Sequence, residues 1–210
     1  MTDTGKWWTH QIKTPIAAMR LLLQEEETPV SREMQGELFQ VEQYVQMALQ
    51  YLRMERMNTD LVFAKQELDA LIHQAVRKYA PLFIRRKIAL QYEDVHCQIL
   101  TDEKWLEFVI EQILSNAIKY TAGGTISVYL EEESEQETKE LVIEDTGIGI
   151  APEDLPRIFE KGYTGYNGHA DKHSTGIGLY LCRKIMRKLS HEITIESEIG
   201  VGTKVHLEIR

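Results

Sequence analysis

Apolar residues recur at helical spacing along the first quarter of the chain. Ile12, Ile16, Met19 and Leu23 step by four, three and four, and Met34, Leu38, Val41, Val45, Ala48 and Leu52 carry the same step over nearly three heptads. This is the a/d spacing of a coiled-coil seam, so residues 10–56 are predicted to be helical. Glu27-Thr28-Pro29 interrupts the pattern, and Ser31 is placed to cap the helix that follows. Two helices joined by a short loop form an antiparallel hairpin. One hairpin of this size covers too little apolar surface to stand alone. Two of them paired into a four-helix bundle would bury both seams, which predicts a homodimer. The alternative is a hairpin folded onto the rest of its own chain.

Asn58-Thr59-Asp60 reads as a linker, and the pattern beyond it becomes mixed α/β. A short strand is predicted at Leu61–Ala64, a helix over Leu68–Arg85, and a strand at Ile88–Tyr92, where polar and apolar residues alternate. Asp102–Tyr120 is a strongly amphipathic helix with Asp102 near its start. After a turn at Gly123-Gly124, Thr125–Glu132 and Glu140–Glu144 are predicted as neighbouring strands. Residues 151–175 carry Pro152, Pro156, Gly162, Gly165 and Gly168 and little periodicity. An irregular stretch of that length within a domain usually carries function. Leu179–Leu189 is a helix, and Ile193–Ser197 and Lys204–Ile209 form a closing hairpin around Gly200-Val201-Gly202.

Composition narrows the function classes. The 210 residues are 43 % apolar and 27 % charged, with a net charge of −9, as expected of a folded globular chain. So acidic a balance argues against broad nucleic-acid binding, because phosphate backbones need a basic patch. No apolar run approaches the roughly 20 residues that span a bilayer, and no apolar segment follows Met1–Lys6 as in a signal peptide. The two cysteines, Cys97 and Cys182, lack metal-like spacing and read as reduced thiols of a cytosolic protein.

Four constellations carry candidate chemistry. In His10-Gln11-Ile12-Lys13-Thr14-Pro15, a helical step of about 100° puts His10 away from the seam, with Thr14 on the same exposed face. A neutral imidazole keeps a lone pair and is a competent nucleophile. Pro15 would then kink the helix beside His10. Thr14-Pro15 also reads as a helix start, which would leave His10 an ordinary surface residue in a lead-in. In the second group, Gln112, Asn116 and Lys119 line one side of a helix beside Leu106, Ile110, Ile113 and Ala117. An amide oxygen suits Mg²⁺, a lysine suits a phosphate, and the Tyr120 ring can pack on a base, although a polar stripe is equally a solvated surface. The third, Glu144-Asp145-Thr146-Gly147-Ile148-Gly149-Ile150, ends a strand. A carboxylate there can accept from an exocyclic amine, and glycines admit a planar ring; a tight surface turn is the plain alternative. The fourth, Ser174-Thr175-Gly176-Ile177-Gly178-Leu179, opens a helix, where free N–H groups favour phosphate oxygens; a flexible loop is the alternative.

In this order, HQIKTP, QILSNAIKY, DTGIGI, RIFEKGYTG and STGIGLYL resemble the cytoplasmic core of bacterial two-component sensor histidine kinases over nearly the whole chain. The resemblance implies a dimerisation and histidine-phosphotransfer hairpin over residues 1–57. It implies a catalytic ATP-binding domain over residues 58–210, an α/β sandwich of the gyrase, heat-shock chaperone, histidine kinase and MutL type. By the same resemblance His10 is the phosphorylated histidine, and Asn116, with Gln112 one turn before it, binds Mg²⁺. Lys119 and Tyr120 meet the phosphates and the nucleotide, Asp145 reads the adenine amino group, and Gly147, Gly149 and Ile150 shape that pocket. Phe159 and Lys161 belong to a lid running to Thr175, and Gly176, Ile177, Gly178 and Leu179 form the phosphate side. ATP and Mg²⁺ are the implied cofactors. A response regulator is the implied partner, with Thr14 positioned for a second, phosphatase activity. HQIKTPIAAMRLLL and FEKGYTG also resemble short membrane kinases that answer cell-envelope antibiotics, often beside a peptide-antibiotic ABC transporter. Membrane helices belong upstream of His10 in such proteins. The expected location is therefore the cytoplasmic face of the cell membrane, reached through an N-terminal region this shortened chain lacks.

Two departures bear on mechanism. Gln11 stands where most relatives have an acid beside the histidine; it can hold a hydrogen bond but cannot act as a base. Lys161-Gly162 stands where an arginine is usual, and a lysine lacks the bidentate fork. A non-catalytic ATP-binding dimeric interaction module is thus the alternative to a kinase. An ATP-hydrolysing relative of gyrase or MutL would need a glutamate base, and Glu111 sits one position before Gln112, pointing elsewhere.

Overall fold

At two helix starts in this chain, side chains satisfy amides that the helix leaves unpaired. The computed structural model describes residues 4–25, 28–54, 61–131, 139–165 and 174–209, with residues 4–10 described by their backbone. Contacts divide the chain into two compact units, Met1–Met57 and Asn58–Arg210.

The first unit is a helical hairpin of α1 (Thr4–Gln24) and α2 (Pro29–Met54). α1 continues through Pro15, so Thr14-Pro15 is not a helix start. At the start of α2, the Ser31 N–H donates to Thr28 Oγ1 (3.0 Å) and the Thr28 N–H donates to Ser31 Oγ (2.8 Å). Thr28 is therefore the cap, Pro29 the first helical residue and Ser31 the reciprocal member of a capping box, which corrects the expectation that Ser31 itself caps. Gln35 Nε2 donates to the Leu23 carbonyl (2.8 Å) and Arg20 pairs with Glu42, tying the two helices together. Of the seam, Ile16 and Leu38 are buried, but Met34 stays 53 % exposed and Leu52 67 %. The predicted linker at Asn58-Thr59-Asp60 lies outside the described residues, as do Glu132, residues 166–173 and the His10 side chain.

The second unit is a two-layer α/β sandwich. Its sheet runs β2 (Ile88–Tyr92), β4 (Gly124–Glu131), β5 (Lys139–Asp145), β7 (Gly202–Ile209), β6 (Glu192–Glu198). β2 and β4 are parallel and the other neighbours antiparallel. Three helices, α3 (Leu68–Arg86), α4 (Glu103–Tyr120) and α5 (Gly178–Lys188), form the second layer. Inward residues of the sheet, such as Ile126, Val128, Leu141 and Leu207, are fully buried, as are Ile72, Phe108, Leu114 and Ile185 of the helices. Cys97 and Cys182 are free thiols in this interior, and burial pushes both thiol pKa values up.

A separate antiparallel pair joins β1 (Ala64–Glu67) to β3 (Gln98–Thr101). The strand expected at Leu61–Ala64 is therefore shifted along the chain. Its register is set by β3, which the sequence pattern does not announce, while the Val62 N–H donates to Asp102 Oδ2 (2.8 Å) instead of to a ladder. Asp102 also accepts from the N–H groups of Lys104 (3.1 Å) and Trp105 (3.3 Å), so one carboxylate caps α4 and pins the chain before β1.

Candidate functional site

α4 brings three of the four constellations together at its C-terminal end. Its apolar side is buried from Trp105 to Ile118, which fixes the orientation of the remaining positions. Gln112 is buried, at 4 % exposure, while Asn116, Lys119 and Tyr120 are half-buried. The two amides are one turn apart on α4, Asn116 the more open of the two, and an amide oxygen is a ligand of the kind Mg²⁺ takes. Glu111 faces elsewhere. It is buried and ion-paired with Lys78 Nζ of α3 at 2.7 Å, so it is already committed inside the fold. That pair weighs against Glu111 as a hydrolytic base. Arg86 of α3 was not anticipated. Its Nη1 donates to the carbonyls of Ile118 (2.9 Å) and Lys119 (2.7 Å), securing the last turn of α4 where carbonyls lack helical partners.

Asp145 ends β5 and is nearly closed off from solvent. Burial is the largest influence on its carboxyl and pushes the pKa up to about 6, with Glu144 adding to the rise. The N–H groups of Gly147 and Thr203 and the Thr121 side chain act in the opposite direction. The Gly147 N–H donates to Asp145 Oδ1 at 2.8 Å. The loop that follows is held from both sides. The Ile148 N–H donates to the Tyr120 carbonyl (3.2 Å), the Gly200 N–H to the Ile148 carbonyl (2.9 Å), and the Ile150 N–H to Ser197 Oγ (2.9 Å). Gly149 has φ +71°, and a Cβ there would overlap the Glu198 carbonyl, so this position requires glycine.

The fourth constellation meets the first part of the irregular segment. The Gly162 N–H donates to the Gly176 carbonyl (2.9 Å), and Gly176, at φ +63°, has no room for a Cβ against the Gly162–Tyr163 backbone. Tyr163 donates to Asp154 (2.6 Å) with the Arg157 guanidinium over its ring. Phe159 is half-buried, and Arg183 of α5 places its guanidinium 5.0 Å from that ring. Lys161 is exposed, so the arginine that stacks on Phe159 comes from a helix rather than from the neighbouring sequence. Thr175 Oγ1 accepts from the Ile177 N–H (3.3 Å), and Ile177, Gly178 and Leu179 form the half-buried start of α5. Tyr120 connects the two halves of the site: its carbonyl holds the Asp145 loop and its hydroxyl lies 3.3 Å from Ser174 Oγ.

His10, Gln11 and Thr14 lie on α1 in the first unit, where Gln11 and Thr14 are exposed. Among the described residues, one group has metal-ligating chemistry that the sequence pattern did not flag: Glu131, Glu140 and His206, within 4.8 Å of one another. They lie on the sheet face away from the helices. His206 Nδ1 lies 3.0 Å from Glu140 and Lys204 Nζ 3.7 Å from Glu131, so both carboxylates already have partners within the fold. No described helix is long and apolar enough to cross a membrane.

Comparison with known proteins agrees with this geometry. The family described as "Histidine kinase-, DNA gyrase B-, and HSP90-like ATPase" matches residues 101–210. The sensor histidine kinase YxdK of Bacillus subtilis is 36 % identical over 200 residues, which are 94 % of this chain and 61 % of that protein. The sensor protein BceS of the same organism is 34 % identical over 197 residues, 93 % of this chain and 58 % of that one. The chain thus spans about three fifths of the length of these curated relatives. Full-length ShkA, crystallised in complex with AMPPNP, shares the fold at TM-score 0.69 and 20 % identity, covering 100 % of this chain and 46 % of that one. The chain is similar to bacterial sensor histidine kinases along most of its length and belongs to the histidine kinase-, DNA gyrase B- and HSP90-like ATPase family.

Proposed function

We propose that the chain is the catalytic part of an ATP-dependent protein-histidine kinase. ATP binds with its adenine amino group on Asp145, in the pocket shaped by Gly147, Gly149 and Ile150, beside Tyr120. Its phosphates lie toward Lys119 and the Thr175–Leu179 start of α5, with Phe159 and Lys161 in the covering segment. The observation that carries the reading is the buried Asp145 carboxylate at a strand end, joined through Tyr120 to a lysine and a glycine-opened helix. The AMPPNP bound by ShkA, a protein of the same fold, supports a nucleotide there. Asn116, with Gln112 a turn earlier, would hold Mg²⁺, which supplies charge neutralisation at the phosphate oxygens.

A ring nitrogen of His10 attacks the γ-phosphorus. The bond to the bridging oxygen breaks and ADP leaves with its electron pair. The proton on the other ring nitrogen passes to solvent, since Gln11 can accept a hydrogen bond from it but cannot take it. Alignment and charge stabilisation carry most of such a transfer. The phosphoryl group then passes to an aspartate of a response regulator, and Thr14 is placed to position water for the reverse, phosphatase reaction. Residues 1–57 serve as dimerisation and phosphotransfer hairpin and residues 58–210 as catalytic domain. Support for a homodimeric four-helix bundle comes from Met34, Val41 and Leu52, whose exposed apolar surface a second hairpin would cover. Similarity to YxdK and BceS supports a sensor kinase; its place at the cytoplasmic face of the membrane, beside a peptide-antibiotic transporter, rests on the resemblance of HQIKTPIAAMRLLL and FEKGYTG to kinases that answer cell-envelope antibiotics.

Radiolabelled ATP with Mg²⁺ should give an acid-labile, base-stable label on the purified chain, and His10→Gln should abolish it. Label that survives in His10→Gln rejects the assignment. Nucleotide binding and dimerisation without any label would select the non-catalytic module, for which the neutral Gln11 is the motivating residue.

A further inference from the structure

We propose that Ser174 is a positioning residue for the nucleotide phosphates, acting through Lys119; the inference rests on the nucleotide-site reading above. Lys119 Nζ donates to Ser174 Oγ at 2.7 Å, and the Tyr120 hydroxyl lies 3.3 Å from the same oxygen. One hydroxyl therefore gathers the last two residues of α4, which are 55 and 54 positions away in sequence. The Lys119 ammonium also lies 5.1 Å from the centre of the Tyr120 ring.

The chemistry gives this contact a direction. An ammonium has three donors, so Lys119 can keep Ser174 and still reach an anionic oxygen. A lysine loses rotamer freedom when it binds an anion. The Ser174 hydroxyl takes part of that loss before the anion arrives. Ser174 is itself held close to the helix start. Thr175, next in the chain, accepts from the Ile177 N–H, and Gly176 accepts from Gly162. The cap residue of α5, Ile177, makes no side-chain cap bond, and the N–H groups of a helix's first turn suit a phosphate. Ser174 thus delivers the Lys119 charge to that end of the helix. A hydroxyl acting only as a structural tether would support the whole site evenly, adenine side included. A hydroxyl that presents Lys119 matters only to ligands that carry phosphate.

The full chain, wild type and Ser174→Ala, is titrated calorimetrically with adenosine and with ADP in the presence of Mg²⁺, and thermal melts confirm that both are folded. Ser174→Ala should weaken ADP about five-fold, the effect of one hydrogen bond, and leave adenosine unchanged. With ATP as substrate the loss should fall on KM rather than kcat, and Ser174→Thr, which keeps the hydroxyl, should restore wild-type affinity. ADP binding unchanged in Ser174→Ala, or adenosine weakened as much as ADP, overturns the proposal while the nucleotide-site reading stands. A wild-type chain that binds neither ligand overturns both.

Discussion

Acid should detach the adenine moiety by protonating Asp145. An exocyclic amine donates its hydrogen, so it is recognised by the ionised carboxylate. Burial, the dominant influence, raises the Asp145 pKa to about 6. At pH 5 about one tenth of the sites would then be ionised, and affinity should fall about ten-fold between pH 8 and pH 5, or about 1.4 kcal/mol. Adenosine is the ligand of choice, because a phosphate would titrate in the same range. Near pH 6 each binding event should also release about half a proton, visible as a buffer-dependent enthalpy in calorimetry. Asp145→Asn should bind weakly and lose the pH dependence. The same shift sets the sign of a stability effect. A folded-state pKa above the ordinary 3.8 means that the fold prefers the protonated form. The contribution of Asp145 is then most favourable below pH 4 and is lost as pH rises through about 6, by up to about 3 kcal/mol. Asp145→Asn should therefore melt higher than wild type at pH 8 while losing ligand, which separates binding from folding. Adenosine affinity that is flat from pH 8 to pH 5, with wild type still folded, would refute the reasoning.

Three further outcomes follow from other contacts. Gly149→Ala must move the Glu198 backbone and leave a φ of +71° behind; it should cost at least about 1 kcal/mol of stability, read by denaturant midpoint, and abolish adenosine binding. Lys78→Met leaves the buried Glu111 carboxylate without its ion pair and should destabilise by about 3 kcal/mol, whereas the double variant Lys78→Met/Glu111→Met should recover most of that loss; a double variant no more stable than the single would count against a closed ion pair. Val41→Glu, on a position 46 % exposed in the single hairpin, should halve the mass seen by light scattering without lowering helical content, and an unchanged mass would remove the seam from the dimer interface.

How much of the second unit was legible depended on how far each signal reaches along the chain. α3, α4, β2 and the β6–β7 hairpin came from local periodicity, and Asp102 from capping chemistry. β3 was missed because Gln98–Thr101 alternates over only four residues beside His96 and Cys97. β1 was displaced because Leu61-Val62-Phe63 is the apolar run, yet Val62 is 71 % exposed and Phe63 46 %, and pairing with β3 chooses Ala64–Glu67 instead. The same limit applies at the site. Asp145, Gly149 and Gly176 announce themselves by residue type at or beside an element end, and Asn116 by its place on the polar side of α4. Arg183 over Phe159, Arg86 on the end of α4 and Ser174 on Lys119 do not, because each joins positions that only the folded sheet and helices bring together.

The hairpin poses the opposite problem, since its pattern is legible but its partner is not. A heptad seam states that an apolar stripe will be covered and is silent on what covers it. Within the single hairpin only part of the stripe is used: Ile16 and Leu38 are buried, while Leu21, Leu22 and Leu52 are each about two-thirds exposed. Leu21 and Leu22 lie outside the predicted a/d positions: at about 100° per residue Leu22 falls to one side of the seam and Leu21 opposite it, on the face of His10 and Thr14. Exposed apolar residues on two sides of α1 exceed the narrow contact of two helices and suit a helix with neighbours on more than one side, as in a bundle of four. The exposed leucines thus carry the case for self-association further than the heptad spacing does.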